Sequence, residues 1–308
     1  FSMIGIGIGG ILNIILDPIF IFGLNMGTAG AAVATIISQF ISFCILYRNS
    51  AKGGNIKIKF SNFTPTWEIY EEILKGGMPS FYRQALASVA MICLNFSAGV
   101  YGDAAIAAMA IVTRVFQFVL MIMIGFGQGF QPVCGFNYGA KRYDRVLQAF
   151  WFSVKVSAVF LSIMAVIGFT FASNVISIFR KEDLDVIAIG TRAFKLYCTV
   201  LPLSSWVVLC NMLLQTIGRS LGASIIAMSR QGLFFVPSIL ILPRALGLLG
   251  VQISQPVSDV CSFLLALPIG LHAIRELQRE QEQLGTLKED ERGDIYVSRL
   301  QESSAHQN

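Results

Sequence analysis

Long stretches without charged side chains divide this chain into apolar segments. Five stretches are charge-free, namely those between Asp17 and Arg48, Arg83 and Asp103, Arg114 and Lys141, Lys155 and Arg180, and Lys195 and Arg219. Each exceeds or nearly reaches the about 20 residues that cross the core of a bilayer. The pattern predicts eight membrane spans, at about 3–23, 29–47, 79–98, 105–133, 148–172, 193–217, 222–242 and 249–272.

The apolar runs favour helices over the strands of a membrane barrel. Barrel strands alternate apolar and polar residues over about ten positions. The run Val119–Ile124 is apolar at every position. The fold class expected is therefore an all-α integral membrane protein.

Composition agrees with this interpretation and separates a tail from the body. The chain has 308 residues, of which 55% are hydrophobic and 13% charged, whereas soluble domains carry about 25% charged residues. Residues 276–308 hold 4 basic and 8 acidic residues, while residues 1–275 hold 19 and 10. We assign no site to this acidic tail.

The basic residues of the loops predict the orientation in the membrane. The loops 48–75 and 134–147, with Arg219 and Arg275, contribute ten Lys and Arg residues on one side, against four on the other side. Positively charged loops favour the cytoplasm. We therefore expect a multi-pass protein of the inner or plasma membrane with a cytoplasmic C-terminus.

Cysteine and histidine spacing offers neither a metal site nor a disulfide framework. The six cysteines form no CxxC pair, and the two histidines are His272 and His306. A membrane-embedded enzyme would need a nucleophile–base or metal constellation, so we expect no enzyme, no metal and no cofactor. The expected partners are the lipid bilayer and small drug-like molecules, and not nucleic acid.

A weak internal repeat relates the two ends of the chain. Residues 26–31, MGTAGA, correspond to residues 246–251, LGLLGV, at an offset of 220. The two stretches open the second and eighth predicted spans, and an even offset in span number is typical of parallel repeats. We therefore expect six-helix units, of which only the last two helices of the first are present, with the missing N-terminal helices as partners; chance similarity of glycine-rich turns is the alternative.

The longest hydrophilic connector marks the expected boundary between the units. We predict the last two helices of an N-terminal lobe at 1–50, a cytoplasmic linker at 51–78, a six-helix C-terminal lobe at 79–275 and the tail at 276–308. The end of the linker, Trp67–Leu74, has the apolar spacing of an interfacial helix.

Three apolar spans carry polar side chains at helical spacing. The sets are Gln84, Ser88 and Asn95 in the third span, Arg114, Gln117, Gln128 and Gln131 in the fourth, and Ser204, Asn211 and Gln215 in the sixth. Such groups are costly in lipid and usually face a bundle interior or a water-filled cavity. They either hold helices together, at about 0.6–2 kcal/mol per contact, or surround a shared cavity, which the three sets together favour. The candidates for a substrate or ion pathway are Arg83, Gln84, Asn95, Arg114, Gln117, Gln128, Gln131, Asn211 and Gln215.

The remaining membrane-deep charges have structural interpretations. Asp259 is positioned to pair with Arg230, which would make both residues structural. Asp17 precedes Pro18 and is expected to organise a helix end. Lys155 lies about as deep in its predicted span as Arg230 does in its own. The predicted spans contain no glutamate.

One motif resembles a known family of transporters. Residues 125–141, GFGQGFQPVCGFNYGAK, look like the segment that marks multidrug and toxic compound extrusion (MATE) antiporters. The segments LDPIFIF at 16–22, MGTAGAA at 26–32 and GMPSFYRQ at 77–84 are similar to the fifth, sixth and seventh helices of such proteins, the last as in the bacterial drug-efflux branch. The residues matched as structural motif positions are Asp17, Pro18, Gly27, Gly30, Pro79, Gly129, Pro132 and Gly139.

The resemblance implies a C-terminal fragment of a twelve-helix, two-lobe transporter with a V-shaped cavity. Members of the family exchange organic, often cationic, drugs for H⁺ or Na⁺ by alternating access. Some sodium-coupled members use acids in the seventh and tenth helices, but this chain has none in Ser80–Asn95 or Leu196–Gln215. That cation site cannot be carried over, and the resemblance places a coupling acid in the missing first helix.

Two alternatives to a multidrug antiporter remain. A flippase for lipid-linked saccharides would have a strongly basic cavity, for which Arg83, Arg114, Lys155 and Arg230 are available. A truncated, inactive transporter fragment is the second alternative.

Overall fold

The computed structural model describes residues 2–52, 66–180 and 183–305, with side chains described over 5–49, 66–180 and 183–283. Residues 53–65 of the predicted linker and the side chains of most of the acidic tail lie outside the described residues. Every element in the described ranges is helical. The chain divides into two compact units, Phe1–Tyr70 and Glu71–Asn308.

The first unit is a helical hairpin. Helix α1 (Ser2–Pro18) continues into a π-helical turn (Ile19–Gly23), and α2 (Gly27–Lys52) returns alongside it. The two helices approach closely because α1 carries glycines at the contact: a β-carbon on Gly9 would lie 2.8 Å from Ser42 Cβ. Ser42 Oγ also donates a hydrogen bond of 2.9 Å to the Gly5 carbonyl.

The second unit is a helical bundle. Its elements are α3 (Trp67–Gly99, which begins in the first unit), α4 (Asp103–Gly139), α5 (Tyr143–Thr170), α6 (Ala172–Phe179), α7 (Leu184–Val200), a 3₁₀ turn (Leu201–Leu203), α8 (Ser204–Thr216), α9 (Ser220–Met228), a π-helical turn (Ser229–Leu233), α10 (Phe235–Leu246) and α11 (Leu248–Ala305). Helices α4, α5, α7, α8 and α11 pack against one another around the core. Phe150, which is fully buried, contacts Phe130 and Trp206 at ring-centroid distances of 6.2 and 5.8 Å.

Seven helical segments in the described part of the chain are long and apolar enough to cross a membrane. They are Gly5–Gly23, Gly27–Asn49, Asp103–Gly139, Tyr143–Thr170, Leu184–Thr216, Ser220–Leu246 and Leu248–Gln283. Seven of the eight predicted spans fall in these segments. The predicted span at 79–98 lies within α3, which is a 33-residue helix but is less apolar because Arg83, Gln84 and Asn95 lower its hydropathy. The chain is a multi-pass, all-α membrane protein.

Two prolines lie inside helices, although the sequence pattern predicted that a span begins or ends close to each of them. The predicted span at 79–98 opens at Pro79, but α3 runs without a break from Trp67 to Gly99. The fourth predicted span ends at 133, yet α4 continues through Pro132 to Gly139. An interior proline removes one backbone donor and disfavours the helix, but membrane helices tolerate it because neighbouring groups can satisfy the freed carbonyl.

The two stretches of the weak sequence repeat adopt the same local backbone geometry. Gly27 is the first residue of α2 and Gly247 immediately precedes α11, and their φ angles of 54° and 61° are positive, which glycine adopts without strain. Three residues later, a β-carbon on Gly30 would lie 2.7 Å from the Phe20 carbonyl oxygen, and one on Gly250 would lie 2.3 Å from the Leu242 carbonyl oxygen. Each unit therefore uses one glycine to turn the chain and a second to let a helix approach the preceding backbone.

Replacing Gly250 with alanine is expected to destabilise the second unit. The new methyl group would meet the Leu242 carbonyl and Pro243 N, at 2.3 and 2.5 Å, which are backbone atoms that cannot rotate away. Overpacking of this kind costs about 1–3 kcal/mol. Thermal unfolding of the purified protein in detergent measures the loss.

The matched control is Gly129→Ala in α4, because a β-carbon added at Gly129 would meet no neighbouring atom within 4 Å. Equal unfolding midpoints for the two variants would contradict the close approach at Gly250.

Candidate functional site

A cavity of about 500 Å³ lies in the second unit. It is bounded by α3, α4, α7, the π-helical turn Ser229–Leu233, α10 and α11. Pockets of about 300–1,000 Å³ accommodate drug-sized molecules. Its apolar wall includes Met91 and Ile92 of α3, Leu120 of α4 and Phe235 of α10. The cavity is therefore large enough and apolar enough for an organic ligand.

Amide and hydroxyl groups from several helices also line this cavity. The polar lining residues are Gln84, Ser88, Thr113, Gln117, Tyr197, Arg230, Gln231 and Gln255. Gln84 and Ser88 are one turn apart on α3, and Ser88 Oγ donates a 3.3 Å hydrogen bond to the Gln84 carbonyl. The side chains of Gln84 and Gln117 are exposed. They are therefore accessible to a ligand in the cavity.

Aromatic rings that pack at tilted angles support one wall. The Phe116 ring lies 4.6 Å from that of Tyr197 and 4.9 Å from that of Phe194, measured between centroids. Phe116 and Tyr197 line the cavity and are otherwise buried. Helices α4 and α7 are thereby packed rigidly behind the cavity.

An ion pair joins the π-helical turn to α11 at the cavity wall. Arg230 Nε donates a 2.7 Å hydrogen bond to Asp259 Oδ1, which also accepts one of 3.0 Å from Gln255 Nε2. The side chain of Asp259 is 5% exposed and that of Arg230 is 19% exposed. Ser258 Oγ donates to the Arg230 carbonyl, so α11 holds both the backbone and the side chain of this residue.

The π-helical turn explains how a cation is placed here. Such turns insert an extra residue into a helix and rotate the side chains that follow. Arg230 places a charge in the interior of the segment from Ser220 to Leu246, which is apolar enough to cross a membrane. The proposed pairing of Arg230 with Asp259 is confirmed.

The geometry is accompanied by clear similarity to known proteins. The MatE family model matches residues 79–240, which is more than half of the chain and includes most of the cavity wall. The chain belongs to the MatE family. This is the family that the motif at 125–141 indicated.

Curated relatives of the MatE family cover most of the chain. The multidrug export protein MepA of Staphylococcus saprophyticus is 32% identical over 270 residues, covering 87% of this chain and 59% of the relative. MepA of Staphylococcus haemolyticus is 31% identical, over 85% and 58% of the two chains. This chain thus spans about three fifths of the length of these relatives.

Solved structures show the same fold. An outward-facing multidrug resistance MATE transporter superposes with a TM-score of 0.80 at 26% identity, covering 90% of this chain and 63% of that one. A transporter of Pyrococcus furiosus, described as having a binding pocket of reverse polarity, superposes with a TM-score of 0.81 at 26% identity over the same shares.

The cavity of this MatE chain is lined by two of the nine residues proposed for a substrate or ion pathway. Gln84 and Gln117 line it, from two of the three polar faces. Arg83, Asn95, Arg114, Gln128 and Gln131 lie on α3 and α4 but outside the cavity lining. Their role in a pathway stays a prediction.

The third polar face holds helices together instead of lining the cavity. Asn211 is buried, and its Nδ2 donates a 2.6 Å hydrogen bond to the Ala223 carbonyl of α9. Gln215 Nε2 donates a hydrogen bond of 2.8 Å to Asn211 Oδ1. The Asn211 bond joins α8 to α9, which is the interhelical interpretation considered for such amides, and the Gln215 bond within α8 holds the Asn211 amide in place.

The family motif on α4 serves packing and helix termination. A β-carbon on Gly127 would lie 2.3 Å from Met212 Sδ, and one on Gly135 3.3 Å from Thr216 Cγ2, so α4 and α8 pack closely along the motif. After Gly139 the helix ends through Lys141, whose φ angle is 54°, and Arg142 N donates a hydrogen bond of 2.9 Å to the Asn137 carbonyl.

The polar face of α11 was missed in the sequence. Its buried polar side chains are Gln252, Ser254, Gln255, Ser258, Asp259 and Ser262. Positions 252, 255, 259 and 262 follow helical spacing, so the periodicity used for the other spans would have found them. Tyr197 and Gln231, which also line the cavity, were not among the sequence candidates.

Breaking the ion pair is expected to destabilise the bundle more than neutralising both partners. Arg230→Gln or Asp259→Asn leaves the other charge buried without a counter-charge, which costs about 3–5 kcal/mol. The double variant should lose less than the sum of the single losses, since an amide pair can still form a hydrogen bond. Thermal unfolding in detergent of the four proteins gives the coupling.

The exposed pair Lys75–Glu71, at 2.5 Å with side-chain exposures of 63% and 51%, provides the control. Lys75→Gln should cost less than about 1 kcal/mol. Additive losses at Arg230 and Asp259 would show that the two charges do not stabilise each other.

Proposed function

We propose that this chain forms part of a secondary active multidrug efflux antiporter, which exports organic, often cationic compounds in exchange for H⁺ or Na⁺. The MepA relatives are multidrug export proteins, which supports this proposal. The observation that carries it is the cavity of about 500 Å³, lined by aromatic, methionine and amide side chains within a membrane-spanning bundle.

The wall chemistry suits ligands of varied structure. Apolar surface contributes binding free energy without directional requirements, and methionine adapts to different shapes. The amides of Gln84 and Gln117 both donate and accept hydrogen bonds. A cavity of this kind discriminates weakly between drug-like molecules, which is what multidrug export requires.

The proposed mechanism is alternating access. Ion binding would shift the equilibrium between outward- and inward-facing states by differential affinity for the two. Among the described residues of the cavity wall there is no carboxylate, and Asp259 is already bonded to Arg230 and Gln255. We therefore propose that the coupling acid lies outside this cavity.

We further propose a location in the inner or plasma membrane with a cytoplasmic C-terminus. The seven long apolar segments support a multi-pass topology, and the excess of basic residues in the loops supports the orientation. The bilayer and small drug-like molecules are the proposed partners.

The saccharide flippase alternative receives less support from the cavity. Of the four basic residues considered for it, only Arg230 lines the cavity, and its charge is paired with Asp259. A lipid-linked pyrophosphate would need several unpaired cations.

Cells that express the complete coding sequence are expected to accumulate less ethidium than cells with an empty vector. A protonophore collapses the proton gradient, and in a separate experiment choline replaces Na⁺. Whichever treatment removes the gradient of the ion that drives export should restore ethidium accumulation. Fluorescence of intracellular ethidium measures the effect. If the protein is abundantly expressed but does not lower ethidium accumulation under any ion gradient, the antiporter proposal is refuted.

Removing the cavity amides should impair export without unfolding the protein. Gln84→Ala and Gln117→Ala delete hydrogen-bonding groups on the exposed wall, where each ligand contact contributes about 0.5–1.5 kcal/mol, so ethidium export should fall about three- to tenfold. Gln148→Ala, which removes an exposed amide of α5 outside the cavity, is the matched control. Full export by both cavity variants, at equal expression, would exclude this cavity from the export path.

A further inference from the structure

The charge that the cavity presents to a ligand differs from that expected of a site for organic cations. Of its sixteen described lining residues, one is charged, and that residue is Arg230. Its partner Asp259 is not a lining residue and is only 5% exposed. The ion pair is neutral as a whole, but its positive end is the one on the cavity wall.

The carboxylate lies behind the cavity lining, and both of its hydrogen bonds are received by one oxygen. Asp259 Oδ1 accepts from Arg230 Nε at 2.7 Å and from Gln255 Nε2 at 3.0 Å. A ligand in the cavity therefore meets the side chains of Arg230 and Gln255 before it meets the carboxylate. An organic monocation would lose water of hydration there and find no anion to replace it.

The guanidinium still has donors available. Arginine carries five N–H groups, and the hydrogen bond described for its side chain uses Nε alone. The side chain keeps 19% of its surface exposed. Planar N–H pairs on a guanidinium match the two oxygens of a carboxylate, and the amides of Gln231 and Gln255 beside it provide further donors.

We propose that the cavity of the second unit binds aromatic compounds that carry a carboxylate, including zwitterions, in preference to organic monocations, and that Arg230 determines this preference. The proposal rests on the proposed function, of which it specifies the substrate class. The aromatic body of the ligand packs against Phe116, Phe235 and Met91, and its carboxylate receives hydrogen bonds from Arg230. The carboxylate is bound in its ionised form and no covalent step is involved.

Two dyes that share one chromophore test the proposal. Tetramethylrhodamine has a free carboxylate and is zwitterionic, whereas its methyl ester is a cation. Binding of each dye to the purified protein, in nanodiscs of zwitterionic lipid, is followed by fluorescence polarisation. The carboxylate form should bind about tenfold more tightly, as expected for one charge-assisted hydrogen-bonding contact.

The double variant Arg230→Gln/Asp259→Asn removes both charges and should abolish the preference. Its matched control is Arg219→Gln/Glu276→Gln, because Arg219 forms an ion pair with Glu276 of α11 and neither residue lines the cavity. The control should retain the preference. Tighter or equal binding of the ester by the unaltered protein, or an unchanged preference in the double variant, overturns the proposal.

A gain of binding guards against a variant that fails to fold. Gln117→Glu places a carboxylate on the exposed part of the wall and should reverse the preference toward the ester. Loss of the folded cavity would remove the discrimination between the two dyes and not invert it in favour of a cation beside a new carboxylate. Reversal therefore supports the proposal, and retention of the original preference by this variant counts against it.

Export of the two dyes from cells separates this inference from the proposed function. Export of both dyes without any dependence on Arg230 refutes the inference and leaves the transporter. A binding preference that follows Arg230, with neither of these dyes nor ethidium exported, supports the binding site and refutes the transport proposal.

Discussion

Polar groups in a largely apolar chain are costly unless they have hydrogen-bond partners or lie at a cavity, and this constraint shapes the arrangement of the second unit. Backbone groups satisfy the constraint by forming helices, since lipid offers no hydrogen bonds. Side chains satisfy it in three ways. Asn211 bonds to the backbone of α9, Asp259 bonds to Arg230 and Gln255, and Gln84 and Gln117 remain at a cavity.

The Arg230–Asp259 pair connects the packing of the bundle to the chemistry of its cavity. A single buried charge would be strongly unfavourable, whereas a bonded pair is tolerated. The pair also makes the charge at the cavity wall positive, because Arg230 of the π-helical turn lines the cavity while Asp259 of α11 lies behind the lining. The same contact therefore stabilises two elements and determines what a ligand encounters.

Glycine contributes at positions where helices have to approach closely. Gly30 and Gly250 each lie against the backbone that precedes their helix, and Gly127 allows α4 to pack against Met212. By contrast, a β-carbon at Gly129 of the same motif would have no neighbour within 4 Å. A family motif thus combines residues needed for packing with others whose importance the packing does not explain.

Much of the architecture follows from the sequence alone, because span length and the absence of charge depend on local composition. The apolar pattern predicted spans that fall in all seven of the apolar helical segments, and residues 125–141 indicated the family. The offset of 220 located Gly27 and Gly247, whose backbones have similar positive φ angles. The pairing of Arg230 with Asp259 also follows from their depth in adjacent spans.

Only the tertiary structure decided which polar faces surround the cavity. Helical spacing shows that Asn211 and Gln215 share a face, as Gln84 and Ser88 do, but it contains no information about the neighbour that each face meets. The positions of α9 and α3 make the first pair an interhelical contact and the second a cavity wall. The side of the ion pair that faces the cavity was likewise settled by the π-helical turn, because the rotation it introduces depends on how α9, α10 and α11 pack.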